Sequence, residues 1–235
     1  MGTAAAAPTR AANAPACPGP GAAVQERFFS AECADCWAGS EASLAATPAP
    51  SARSRPNIKN QPAFASAWLF DWITPAGDAA PLALGALPES AERAARLGLT
   101  ALPPAATHRQ DLAALPPRSL GATIKLESGP AWQGYFGLQF TLTSSRRWQP
   151  PAGASAWLAL VEIVPAGRDG TPVKRALVRS VAGPLPLSAL TAHRPSSHLR
   201  ALRWPAAAEP ANLQGRAWIE GPDGQILAVT ADQCR

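Results

Sequence analysis

The sequence has no apolar run approaching the roughly 20 residues that a membrane-spanning helix needs, so the chain as given is expected to be soluble. A Gly-rich phosphate loop is missing, and so is the Gly-x-Ser-x-Gly elbow of the α/β-hydrolases. Those absences leave P-loop nucleotide chemistry and elbow-type serine hydrolysis without support. Lysine is scarce, standing only at Lys59, Lys125 and Lys174, so arginine carries the net charge of +5. The arginines are scattered (Arg146-Arg147, Arg175, Arg179, Arg200 and Arg203 among them), and no run reaches the block size of a nucleic-acid or membrane tail. They read as solvated surface charge, and no nucleic-acid partner is expected. Histidine is limited to His108, His193 and His198, none at zinc spacing from a cysteine; no metal and no cofactor is expected.

Long helices are also excluded, because 26 prolines cut the 235 residues into short pieces. A hydrophobic content of 47% is nonetheless enough for a packed core. The chain therefore reads as strands and loops, long enough for one large domain or two ordinary ones.

What the sequence does have is Val24 to Ser30, a β-prone run, followed by Cys33-Ala34-Asp35-Cys36 and a helix-compatible stretch, Trp37 to Ala46. Strand, Cys-x-x-C, helix is the order in which a thioredoxin-like redox motif is read. Two cysteines at this spacing across a helix start can close a small disulfide, and the amides there favour thiolate on the first sulfur. Cys33 is the expected attacking thiol and Cys36 the resolving one, with protein thiols or disulfides as partners. A permanent structural disulfide is the competing reading. The other two cysteines, Cys17 and Cys234, sit near opposite ends. They are either free thiols or, if the termini lie close together, a bridge over a very long loop, and such a bridge persists only in an oxidising compartment.

Residues 1–21 read as a flexible lead without the charged start and continuous apolar core of a secretory signal. Ala63 to Thr74 reads as a buried central strand of the kind found in parallel sheets. Asp71 within it is either a carboxylate that pairs with an arginine or caps an amide, or a buried proton acceptor beneath the dithiol. Thr47 to Pro62 reads as an exposed loop, Pro88 to Leu97 as a helix ended by Gly98, and Leu99 to Leu102 as a strand. From Ala122 onward apolar residues alternate, most clearly through Phe136, Leu138, Phe140 and Leu142, which marks half-buried antiparallel strands. Ala156 to Val164 and Val173 to Val181 read as further strands, Gly183 to Pro210 as a surface excursion, and Gly221-Pro222-Asp223-Gly224 as a hairpin turn. Trp132 and Trp148 are candidates for an exposed aromatic patch.

With its Cys-x-x-C strand, aromatic-rich second strand and β-rich second half, the chain resembles an uncharacterised family of secreted proteobacterial proteins that join a thioredoxin-like domain to a β-sandwich. Val173 to Arg179 is similar to that family's V-x-R-x-x-V-R strand. Asn212-Leu213, Ala217 to Glu220 and Ile226 to Ala228, running on to Cys234, are similar to its closing hairpin. The resemblance implies an α/β plus all-β fold: a thioredoxin-like domain over 22–118 and an antiparallel β-sandwich or barrel over 119–235. It also implies a Cys17–Cys234 bridge, a cis-proline at Pro103 or Pro104 shaping a substrate groove, and a periplasmic or secreted location. The chain departs from the family at Trp37, where a proline usually follows the second cysteine. Glu32 and Asp35 are acidic neighbours that oppose thiolate formation and make the couple more reducing. The functional expectation is a thiol–disulfide oxidoreductase-like protein. The alternative is a non-catalytic exported binding or envelope-assembly module whose cysteines are structural.

Overall fold

The structure is a computed structural model and describes residues 18, 22–39, 67–99, 104–112, 122–143, 149–187 and 195–234. Cys17, Pro103, His193, Trp148, the 47–62 loop and nearly all of the 1–21 lead lie outside the described residues.

In chain order the elements are β1 (Ala23–Ser30), α1 (Ala34–Ala38), β2 (Trp68–Thr74), α2 (Pro88–Arg96), β3 (Ala105–Asp111), β4 (Thr123–Trp132) and β5 (Tyr135–Thr143). They continue as β6 (Ser155–Val164), β7 (Arg175–Pro186), β8 (Ser196–Arg203), β9 (Leu213–Glu220) and β10 (Ile226–Ala231). Seven strands form one sheet in the order β10-β9-β6-β7-β2-β1-β3, and three form a second in the order β4-β5-β8.

The thioredoxin-like α/β domain expected around the Cys-x-x-C is not formed by the described residues. Strand makes up 53% of the described residues and helix 12%, with two α-helices. Layered α/β domains need helices on both faces of a parallel sheet, and α1 is only five residues long. The sheet solves the burial problem with more strand instead. β1 does pair parallel with β2, but β2 then continues into β7, which is parallel to it where Asp71 faces Leu177. Strands from residues 22–118 and from 119–235 thus share one sheet.

Two apolar layers hold the molecule together. One lies between the sheets, where Leu126, Leu138, Phe140, Leu142 and Leu202 meet Ala156, Leu158, Leu160, Ala217 and Ile219 in a β-sandwich arrangement. The inward-facing residues of β5 alternate with exposed ones, which is the period-two pattern of a strand covered on one side. β6 is buried almost throughout because it is packed on both faces. The second layer lies on the other face of the large sheet and joins Val24, Phe28, Trp68, Phe70, Trp72, Trp157, Val178, Trp218 and Ile226. Trp218 stacks parallel to Trp157 and meets Trp72 and Phe70 edge-on.

Within this second layer sits an ionic network whose Arg93, Glu26 and Glu220 are buried. Arg93 of α2 pairs with Glu26 of β1 at 2.6 Å and with Glu220 of β9 at 3.1 Å, while Arg96 holds the other Glu220 oxygen at 2.8 Å. Burial alone would lower the Arg93 pKa, but Glu26 and Glu220 hold it above its ordinary value. Arg93 also donates to the Gly224 carbonyl at 2.8 Å, so α2 fixes the β9–β10 turn, where Gly224 takes a φ of 80°. Arg216 is held beneath Trp68 and Phe70; burial pushes its pKa down to about 10 against the pull of Asp71 and Asp232.

The expected hairpin at 221–224 is present. The expected excursion over 183–210 is not one throughout: β7 runs on to Pro186, and β8 pairs along its length with β5. β3 begins after the two prolines, where no strand is expected, and lies antiparallel to β1.

Candidate functional site

Cys33 and Cys36 are joined by a disulfide at a Cα–Cα separation of 5.2 Å. The pair lies just past the carboxyl end of β1, where the chain leaves the sheet through a tight turn: the Cys33 amide donates to the Ser30 carbonyl at 3.0 Å. Cys33 is the N-cap of α1, and the Cys36 amide donates to Cys33 Sγ at 3.2 Å. An amide aimed at that sulfur favours its charged form when the bond is reduced. Both cysteines are half-buried, while Glu32, Ala34 and Asp35 around them are exposed. Cys36 packs against a small apolar cluster of Phe29, Ala31, Trp37, Ile73, Val164 and Leu177. Cys33 takes no part in that cluster, so the two sulfurs have different surroundings.

Trp37, the departure from the family pattern, anchors α1. Its ring meets Phe29 edge-on with centroids 5.5 Å apart, and its Nε1 donates to the Asp169 carbonyl at 2.8 Å. Below it lies Arg175, the first residue of β7 and fully buried. The Arg175 guanidinium covers the rings of Phe29 and Trp37 at 4.9 and 5.1 Å. It donates to the Trp37 carbonyl at 2.8 Å, the Gly39 carbonyl at 3.0 Å and Thr171 Oγ1 at 3.0 Å. The orphan carbonyls at the end of a five-residue helix are thereby satisfied from beneath by a strand more than 130 residues away.

Arg175 Nη1 is also 4.0 Å from Asp71. Asp71 itself takes two bonds from Arg27, at 2.5 and 2.7 Å, and one from the Ala176 amide at 2.6 Å. Of its two readings the arginine-paired, amide-capping carboxylate is the one observed. Pro104 lies beside the site, its carbonyl accepting from the Ser30 amide at 2.9 Å. Among the described residues the cis peptide bond is Gly183–Pro184, elsewhere in the molecule. Cys234 is disulfide-bonded; Cys17, the partner expected for it, lies outside the described residues.

His108 does not approach the dithiol. It faces Glu26 across β1 and β3, four residues back from Ser30, or about 13 Å along the strand. His198 bonds the Pro186 carbonyl and Ser196. No group of three or more potential metal ligands occurs among the described residues, and no helix there is long and apolar enough to cross a membrane.

Arg175 and the Asp169 carbonyl were not expected at the site. The signal available for Arg175 was the alternation Arg175, Leu177, Arg179 in an otherwise apolar strand, which places two arginines on a covered face. Nothing local could have revealed the Asp169 contact.

No family model and no curated protein matches the chain. Among solved structures it is similar to HBP35 of Porphyromonas gingivalis, at 9% sequence identity and a TM-score of 0.47, over 93% of this chain and 76% of that one. Of the resemblance drawn from the residues, what stands is the Cys33–Cys36 pair and a mostly sheet structure.

Proposed function

We propose that this is a thiol–disulfide exchange protein that works through Cys33 and Cys36. The observation that carries the reading is the asymmetric setting of a half-buried disulfide: Cys33 Sγ receives an amide hydrogen bond while Cys36 packs on the apolar cluster. In the oxidising direction a thiolate of a partner protein attacks Cys33 Sγ. A mixed disulfide forms, and Cys36 leaves as thiolate. The partner's second thiolate then attacks its own sulfur in the mixed bond, releasing Cys33. Two electrons pass to the Cys33/Cys36 dithiol, and the partner becomes a disulfide. The reverse sequence reduces a partner disulfide. An exported location, periplasmic or secreted, belongs to the same proposal, since a protein disulfide persists in an oxidising compartment.

A second reading has one observation in its favour. Arg175 and Trp37 grip α1 from below, as a permanently closed structural staple in a non-catalytic binding module would require. Equilibration with glutathione buffers, with free thiols counted by mass spectrometry, separates the two. A midpoint between about −120 and −270 mV supports exchange; a pair that stays oxidised below about −300 mV is a structural staple and overturns it.

A further inference from the structure

Four large apolar side chains are strongly exposed among the described residues: Leu84 (85%), Trp132 (70%), Leu199 (67%) and Tyr135 (48%). Three of them lie on the outer face of the small sheet, and the pairing register sets them out in rows. Trp132 faces Tyr135 across β4 and β5, and Tyr135 faces Arg203 across β5 and β8. Four residues further along β5, about 13 Å away, Glu127, Gln139 and Leu199 form a parallel row. Between the rows the face is nearly bare. Gly137 faces Ala201 on one side, and on the other the β4 register shift sets Gly129 and Pro130 beside it.

A glycine inside a strand weakens it and marks a place where something else comes close. The fold itself does not require Gly137, since a Cβ built there meets no atom within 4 Å. The result is a shallow trough across three strands, with a small-residue floor, one wall of two aromatic rings and an arginine, and one of a carboxylate, a carboxamide and a leucine.

We propose that this trough binds a linear, uncharged pyranose oligosaccharide. The flat C–H face of a pyranose stacks on an aromatic ring, for which Trp132 and Tyr135 are open. The two walls differ in polar character: Arg203 only donates, whereas Gln139 and the Lys125–Glu127 pair together both donate and accept. The hydroxyl group complements both walls, because it gives to one and takes from the other. A phosphate chain fits poorly. Lys125 is paired with Glu127 at 2.7 Å and Arg200 is turned onto the Leu199 carbonyl at 2.8 Å. Arg203 therefore stands without a second cation in its own row, whereas single-stranded nucleic acid needs a cationic track.

The test is fluorescence and calorimetric titration of the full chain with cellohexaose, chitohexaose and maltohexaose, with the oligonucleotide dT20 as the anionic control. At least one hexaose is expected to bind and quench tryptophan emission. Trp132→Ala should weaken that binding about tenfold or more, the scale of one aromatic contact. Gly137→Leu, whose Cβ meets no atom of the fold within 4 Å, should abolish it at unchanged melting temperature. Leu84→Ser, on another surface, should leave it intact. Binding of no hexaose, binding that Gly137→Leu leaves untouched, or binding of dT20 alone overturns the proposal. So does a dimer in light scattering that Trp132→Ala dissolves, since the face would then belong to a second copy of the chain.

Discussion

The Gln110 carboxamide exchanges two hydrogen bonds with the backbone of Ile226: its Nε2 donates to the Ile226 carbonyl at 2.6 Å, and its Oε1 accepts the Ile226 amide at 2.9 Å. Gln110 belongs to β3 and Ile226 to β10, the two edges of the seven-stranded sheet. One side chain thus does what a strand pair would do where the sheet curls back on itself around the tryptophan layer. It also occupies edge groups that would otherwise invite pairing with another chain. Gln110→Leu should strip both bonds at little change in volume. It is expected to cost about 1–3 kcal/mol in urea unfolding and to speed amide exchange selectively in β10.

The Arg27–Asp71 pair is fully buried and bidentate. Asp71→Leu leaves the Arg27 guanidinium in the core without its carboxylate and should cost about 3–5 kcal/mol. Replacing both residues, Arg27→Met with Asp71→Leu, should recover the part of that loss due to Arg27, while the Ala176 amide stays without its acceptor. Equilibrium denaturation of the two single variants and the double variant checks the coupling.

Arg175 holds the helix that carries the dithiol. Lysine at this position keeps the charge but cannot span two carbonyls and cover two rings with one planar group. Arg175→Lys is expected to lower stability by about 1–3 kcal/mol and to make the Cys33–Cys36 bond open faster under dithiothreitol, followed by quenched-thiol mass spectrometry. A loss of stability with unchanged reduction kinetics would show that the clamp does not reach the disulfide.

If Cys33 is the attacking sulfur, its free thiolate in Cys36→Ser should attack a model disulfide peptide, expel one peptide thiolate and accumulate as the mixed disulfide, because the resolving thiol is gone. Cys33→Ser should not. Non-reducing gel shifts report both. Losing the disulfide itself should cost only about 2 kcal/mol in the chain-entropy model, since the loop it closes is so short.

His108 gives the protein a pH dependence of known sign. Burial lowers its pKa, with Glu26 pulling it up and Arg93 pushing it down, and its Nε2 has no hydrogen-bond partner among the described residues. The folded state therefore binds its proton more weakly than the unfolded chain does. The stability contributed by the neutral ring is complete above the unfolded value of 6.5 and is lost as pH falls through it toward the folded pKa. Melting temperature should fall between about pH 7.5 and 5.5, and His108→Gln should flatten that slope. Asp232, raised by burial, acts with the opposite sign at more acidic pH.

Much of the local structure was written in the sequence, and for local reasons. Period-two alternation announced β4 and β5. Proline at the entry and glycine just past the end announced α2. A proline-glycine turn announced β9 and β10, and the nearly continuous apolar run within Ala63–Thr74, broken by Asp71, announced a buried central strand. The Cys-x-x-C was legible because its spacing alone permits the bond. The sequence could not say what covers those faces. Strand order depends on pairings between residues distant in sequence, and no periodicity encodes that Asp71 of β2 would meet Leu177 of β7. The inference from a redox motif to a layered α/β domain failed at this point, because the described residues hold too little helix to cover a parallel sheet and cover it with further strands. The scattered arginines show the same division. Composition set their number, but only the tertiary structure put Arg27, Arg93 and Arg175 in the core, where a buried guanidinium is tolerable only because carboxylates and carbonyls from distant strands converge on it.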